Sequence, residues 1–150
     1  MQVLICDMTF DKEKSAGYLI NQLARLFARE LQQRIQPLGI VTGQFPILLA
    51  LWSKDGFTQR ELLNEIDVEQ ATLANTLTRM ERDGLIKRTK HPTDARAQQI
   101  WLTQKAIDVR DDAYRAAMDV NQESLSGLSE EESELFIQLM GKVIKSMRRG

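Results

Sequence analysis

The segment from Thr58 to Leu102 constrains the fold most strongly, because its helix, turn and strand signals follow one another in a defined order. It opens with Thr58-Gln59-Arg60-Glu61, a capping box in which the Thr58 hydroxyl and the Glu61 carboxylate each satisfy a backbone N–H at a helix start. After a short turn, a second helix is predicted from about Glu69 to Asp83. Gly84 follows it and tolerates the left-handed conformation that commonly ends a helix.

Two short strand-like runs come after the second helix. They span residues 85–90 and 98–102, and the turn-rich segment between them, residues 91–97, carries Pro92, Asp94 and Arg96. A β-hairpin with cations near its tip is therefore predicted. Helix, turn, helix and hairpin, in that order, predict a winged helix-turn-helix within a mainly α-helical chain.

The second helix has two distinct faces, because residues advance by about 100° each around a helix axis. Leu73, Leu77 and Met80 share the apolar face, and Asn75 lies opposite, on a face without carboxylates. Such a face suits a helix in the DNA major groove, although a solvated helix face has a similar composition. The hairpin favours DNA binding, and the candidate contacts are Gln70, Ala71, Thr72, Asn75, Thr78, Arg79, Arg82, Arg88, Lys90 and Arg96.

These residues resemble the multiple antibiotic resistance regulator (MarR) family of dimeric winged-helix transcription factors. The family's wing signature, an Asp, a variable residue and an Arg before a strand ending in Leu-Thr, is similar to Asp94-Ala95-Arg96 and Leu102-Thr103 here. The resemblance implies that Arg96 enters the minor groove and that Asp94 holds the shape of the wing. Further matching runs are Thr72-Leu73 through Leu77, Arg79-Met80-Glu81, Gly84-Leu85-Ile86 and Pro92-Thr93.

The sequence departs from the family pattern at Asn75, where an Arg is common. Asn pairs bidentately with adenine in the major groove, whereas Arg pairs with guanine. We therefore expect a preference for adenine at the base that meets Asn75. Leu63 and Asp67 also replace an Ala and a Gly of the family pattern.

The distribution of charge reconciles DNA binding with a net charge of −1. Residues 79–105 hold seven Lys or Arg against three acids, a balance of +4, whereas residues 106–150 hold six against nine, a balance of −3. The positive charge is thus concentrated at the second helix and the hairpin.

The flanking segments are predicted to be helical: from a Ser15 cap to about Gln36, after Thr42, from a Thr103 cap to about Ser124, and after a Ser129 capping box. Their wide apolar stripes need a partner or must fold back onto their own subunit. The resemblance implies a homodimer, with residues 1–40 and 104–150 forming the helical dimerisation region around a DNA-binding domain of residues 41–103. Leu19, Leu135, Leu139, Val143 and Ile144 would then lie in the dimer interface.

The resemblance also implies a pocket for a small aromatic or phenolic effector between the dimerisation helices and the DNA-binding domain. Aromatic side chains at helical spacing are more often part of an ordinary core than of a ligand pocket. The candidate lining residues are Arg25, Phe45, Leu48, Trp52, Arg110 and Tyr114.

The sequence offers no catalytic set, metal-ligand spacing or cofactor motif, because His91 is the only histidine and Cys6 the only cysteine. We predict no enzymatic activity, no cofactor and no metal. Without an apolar run long enough to span a membrane, a cytoplasmic location is expected. The predicted function is a homodimeric, ligand-released repressor on an inverted-repeat operator; a redox regulator acting through Cys6, or a winged-helix protein-interaction module, are the alternatives.

Overall fold

The computed structural model describes residues 8 to 148 of the chain. This part is mainly helical and carries one small antiparallel sheet, in agreement with the predicted fold class. Three short 3₁₀ turns occupy Lys12–Lys14, Gln36–Leu38 and Thr42–Gln44. The regular elements are α1 (Ala16–Ile35), α2 (Phe45–Ser53), β1 (Phe57–Thr58), α3 (Gln59–Glu65), α4 (Gln70–Arg82), β2 (Ile86–Lys90), β3 (Gln98–Leu102), α5 (Gln104–Asp108), α6 (Arg110–Ser124) and α7 (Glu130–Met147).

The helix starts follow the predicted caps, with one correction. The Ser15 hydroxyl accepts from the Tyr18 N–H at 3.3 Å, and Ser129 and Glu132 form a complete capping box. At α3 only half of the predicted box forms, since the Thr58 hydroxyl accepts from the Glu61 N–H but donates to the Glu61 carboxylate. The reciprocal bond to the Thr58 backbone is absent there, and Thr58 also belongs to β1.

The predicted hairpin is present and gains a third strand. The strands β2 and β3 pair from Ile86 opposite Leu102 to Lys90 opposite Gln98. The two-residue strand β1 pairs with the other edge of β3, giving the order β1-β3-β2. A run of two residues has no alternation to reveal it, so β1 was not predictable from periodicity.

The core joins α2, α3, α4 and the sheet. Leu73, Leu77 and Met80 of α4 have no exposed surface, which confirms the predicted inward face of this helix. They belong to one buried cluster with Leu48 of α2 and Ile100 of β3. Because α4 is anchored along this face, its opposite face is held outward.

The helix predicted from Thr103 to Ser124 is interrupted at Val109, which corrects that prediction. The indole N–H of Trp52 donates to the Ala106 carbonyl at 3.0 Å, the carbonyl that the Arg110 N–H would use in an unbroken helix. The β-branched Ile107 and Val109 also have low helix propensity. The chain therefore turns here, and α6 packs against α1.

The last helix, α7, buries none of its side chains within this chain. No single helix among residues 8 to 148 is long and apolar enough to cross a membrane; α1 with its following turn and the Thr42–Ser53 segment pass that test only together, across a 91° bend. Cys6, on which the redox alternative depends, lies outside the described residues.

Candidate nucleic-acid interface

The outward face of α4 is polar and open to solvent. Its N-terminus follows Glu69, whose side chain forms no capping hydrogen bond. The face has no carboxylate at its centre, and the side chain of Asn75 has no hydrogen-bond partner among the described residues. The predicted contact residues of this helix are all exposed: Gln70, Ala71, Thr72, Asn75, Thr78, Arg79 and Arg82.

Two hydroxyl groups of α4 already donate their protons to backbone carbonyls within the helix. Thr76 donates to the Thr72 carbonyl at 2.8 Å, and Thr78 donates to the Ala74 carbonyl at 3.1 Å. A Ser or Thr hydroxyl has one proton, so Thr78 can offer a ligand only an acceptor in this rotamer. The Asn75 amide keeps both its donors and its acceptor, which is what bidentate recognition requires.

Arg88, one of the predicted DNA contacts, is only partly exposed and is held by contacts within the chain. Its side chain is 21% exposed and lies 3.6 Å from the Glu81 carboxylate, and its guanidinium donates to the Thr78 hydroxyl at 3.4 Å. Its Nε is buried and has no hydrogen-bond partner among the described residues. Arg88 therefore ties strand β2 to the outer side of α4.

The loop of the wing, residues 91–97, is held by hydrogen bonds within itself. The Asp94 carboxylate accepts from the Arg96 N–H at 3.0 Å, as expected for a residue that shapes the wing. The Nδ1 atom of His91 accepts from the N–H groups of Thr93 and Asp94 at 3.2 and 3.1 Å. The sequence identified His91 only as a loop residue, and its structuring role follows from these two contacts.

The wing and α3 enclose a groove of about 770 Å³. Arg60, Arg88, His91 and Arg96 line it. Arg96 and Lys90 are exposed, as predicted, and Arg60 is an exposed cation that the sequence analysis missed. The signal that could have identified Arg60 is its place two residues after the Thr58 cap, at the start of a helix beside the predicted hairpin.

A buried glutamine supports the far end of α4. The side chain of Gln44 is 2% exposed, and its amide donates to the Asp83 carboxylate at 3.0 Å. The Lys105 ammonium donates to the Asp83 carbonyl, and the Thr103 hydroxyl donates to the Gly84 carbonyl. Hydrogen bonds from Arg82 and then Gln44 lower the pKa of the Asp83 carboxyl. These contacts hold the C-terminal end of α4 against the turn before α2 and the start of α5.

The predicted effector residues fall into two places. Phe45, Trp52 and Tyr114 form an aromatic row with ring centres 6.1 and 5.4 Å apart, while Arg25 and Arg110 are exposed. Leu48 is fully buried. A separate cleft of about 480 Å³ lies between α1, α2 and α6, and of the predicted set only Phe45 lines it. Its lining is Phe27, Ala28, Leu31, Thr42, Phe45, Pro46, Leu49, Ala117, Val120 and Asn121.

Comparison with known proteins matches this architecture. The family model described as MarR family matches residues 42–97, from the turn before α2 to the end of the wing loop. The transcriptional regulator HosA of Escherichia coli O111:H- is 34% identical over 127 residues, which cover 84% of this chain and 94% of HosA. The chain belongs to the MarR family.

Solved MarR-family structures share the fold over almost their whole length. A mutant MarR from E. coli complexed with operator DNA has a TM-score of 0.82 and 25% identity, covering 91% of this chain and 98% of that one. The PcaV regulator of Streptomyces coelicolor, solved in complex with its natural ligand, has a TM-score of 0.80 and 22% identity over 93% and 99%. This MarR-family chain is a transcriptional regulator that binds DNA, and its relatives are regulators rather than enzymes.

Proposed function

We propose that this protein is a homodimeric repressor that binds an inverted-repeat operator and is released by a small ligand. The observation that most strongly supports DNA binding is the exposed, carboxylate-free face of α4 centred on Asn75. It lies beside a wing that carries Arg96 in its loop. A helix presenting amide, hydroxyl and guanidinium groups suits the major groove, and an arginine on an adjoining loop suits the narrower minor groove. Residues 41–103 would form the DNA-binding domain.

The bases read by α4 would be set by Asn75 and the turn before it. The free amide of Asn75 can pair with the N6 and N7 atoms of adenine. Ala71, one turn earlier and also exposed, can contact a thymine methyl group. The arginines on and near α4, Arg79 and Arg82, together with Lys90 of the wing, would contact phosphates and fix the register of the helix. Arg60 joins this set because it lines the same groove as Arg96.

A dimer is supported by apolar surface that this chain does not cover by itself. Among the predicted interface residues of α7, Leu135 is 52% exposed and Ile144 is 49% exposed. Large exposed apolar surfaces on a folded chain commonly mark protein interfaces. We propose that residues 1–40 and 104–150 form the dimerisation region, with these side chains in the interface: Leu19, Leu135, Leu139, Val143 and Ile144.

The effector would enter the cleft between α1, α2 and α6. No lysine, arginine or histidine lines this cleft, whereas Phe27, Phe45 and Leu49 do. An aromatic carboxylate would lose its hydration there without gaining a cation, so a phenol or another uncharged aromatic compound fits better. PcaV shares this fold and was solved in complex with its natural ligand, which supports the proposal that this regulator also responds to a ligand. The ligand releases DNA only if it binds the conformation that cannot bind DNA more tightly than the conformation that can.

The test is selection of bound duplexes from a random-sequence pool, combined with sedimentation of the protein alone and on a selected duplex. We expect enriched duplexes with two inverted half-sites about one helical turn apart, roughly 34 Å, each bound by one subunit of a dimer. Enrichment of single half-sites with a sedimenting monomer would contradict the dimer. No enrichment at all would favour the protein-interaction module over the repressor.

A further inference from the structure

The end of α7 reaches the turn of the helix-turn-helix through one ion pair. Arg148 follows directly after α7, and Asp67 lies between the end of α3 and the start of α4. The Nε of Arg148 donates to both carboxylate oxygens of Asp67, at 3.1 and 3.0 Å, and its Nη2 donates to Oδ2. This fork-like arrangement is the more directional form of an arginine–carboxylate contact.

This pair is the polar connection between α7 and the DNA-binding lobe. Among residues 8 to 148, no other hydrogen bond or ion pair joins α7 or Arg148 to another helix or strand. Four apolar side chains of α7 are exposed and are proposed to contact the second copy: Leu135, Leu139, Val143 and Ile144. In the proposed dimer, α7 would contact the second subunit through these side chains. Its C-terminal end would contact the turn before the recognition helix α4 through Arg148 and Asp67.

We propose that Asp67 and Arg148 are positioning residues that set the place of α4 relative to the dimer, and hence the distance between the two recognition helices. This inference rests on the proposed homodimer. Asp67 lies three residues before the first residue of α4, so a shift of the turn moves the N-terminal end of the helix. Ala71 and Asn75, the side chains proposed to meet base edges, lie in the N-terminal half of this helix.

Electrostatics alone predicts a different outcome, which makes the inference testable. Replacing Arg148 with Gln removes a positive charge, and replacing Asp67 with Asn removes a negative one. If the two groups acted only through their charge near DNA, the first change would weaken binding and the second would strengthen it. If they position α4 as a pair, both changes weaken binding to the operator.

The experiment measures affinity for a duplex selected by the wild-type protein and for versions with base pairs inserted between the half-sites. We expect Asp67→Asn, Arg148→Gln and the double variant each to lose about two- to fivefold on the selected duplex, the range of an exposed pair with good geometry. The losses should not add. The variants should also discriminate less against altered spacing. Reversing the pair with Asp67→Arg and Arg148→Asp should recover part of the loss.

Lys145→Gln is the matched control, because it removes the same charge one turn earlier on α7 and leaves the ion pair intact. We expect it to retain the wild-type spacing profile. Tighter binding by Asp67→Asn, or a spacing profile unchanged in all the variants, would overturn the positioning role while leaving the dimeric repressor standing. A wild-type protein that selects no paired half-sites, or stays monomeric on them, would overturn both.

Discussion

The Oδ1 atom of Asp94 lies 3.0 Å from the backbone nitrogen of Arg96, so the residue that shapes the wing holds the residue at its tip directly. Because a single side-chain oxygen accepts this hydrogen bond, substitutions can separate the effect of the hydrogen bond from that of the negative charge. Asn offers a carbonyl oxygen at the same place, whereas Ala offers none.

Asp94→Ala should therefore weaken DNA binding by about 0.5–1.5 kcal/mol, the usual contribution of one hydrogen bond. Asp94→Asn is the matched control and should bind at least as well as the wild type, because it keeps the acceptor and removes a negative charge. Fluorescence anisotropy with a labelled duplex measures both. Equal losses for Ala and Asn would mean that the charge of Asp94, and not its hydrogen bond, matters.

Arg96→Ala should reduce binding to selected and random duplexes alike. If Arg96 neutralises one phosphate or enters the minor groove, its removal lowers the slope of log affinity against log salt by about one unit. Titration at several salt concentrations measures this slope. An unchanged slope would show that the exposed Arg96 guanidinium does not contact DNA.

The free energy of unfolding should depend on pH through the Asp83 carboxyl group. Hydrogen bonds from Arg82 and then Gln44 hold the pKa of Asp83 below its usual value of 3.8 in the folded chain. Because the folded pKa is the lower one, this contribution to stability is complete above the unfolded pKa and is lost progressively as the pH falls from there through the folded pKa. Urea unfolding at a series of pH values from about 6 to about 2 should show a shallower decline for Asp83→Asn than for wild type. A parallel decline in the two proteins would argue against this role.

Gly56 is the backbone position least able to accept a side chain. Its φ is +81°, and a Cβ atom there would lie 2.6 Å from the ring of Trp101, whose indole N–H donates to Thr89 in the adjacent strand. Gly56→Ala should destabilise the fold by more than about 1 kcal/mol, since backbone strain and a ring clash combine. Gly127→Ala is the control, because Gly127 has open space around it and no positive φ. Thermal unfolding compares them, and equal stability of the two variants would refute the clash.

The parts of this fold that depend on local pattern were predictable. The inward face of α4, the caps at Ser15 and Ser129 and the two wing strands each follow from periodicity or from residues a few positions apart. These signals also carried the assignment to the family, through the Asp94-Ala95-Arg96 wing.

The parts that depend on distant contacts were not predictable. Trp52 and Ala106 are 54 positions apart, and their hydrogen bond marks the break between α5 and α6. Gln44 and Asp83 are 39 positions apart, and nothing in the local sequence announces that a glutamine will be buried there. Arg88 was grouped with the other cations of the wing by composition, yet its side chain lies 3.6 Å from the carboxylate of Glu81 on α4.

The outward face of α4 is proposed to read base sequence, and the Asn75→Ala variant shows whether it does. Affinity of the wild type and the variant would be measured on a selected duplex, on its single-base variants and on random duplex. The account predicts a loss of about 1–3 kcal/mol on the selected duplex, confined to one base pair in each half-site, with binding to random DNA unchanged. An equal loss on selected and random DNA would contradict base recognition by Asn75.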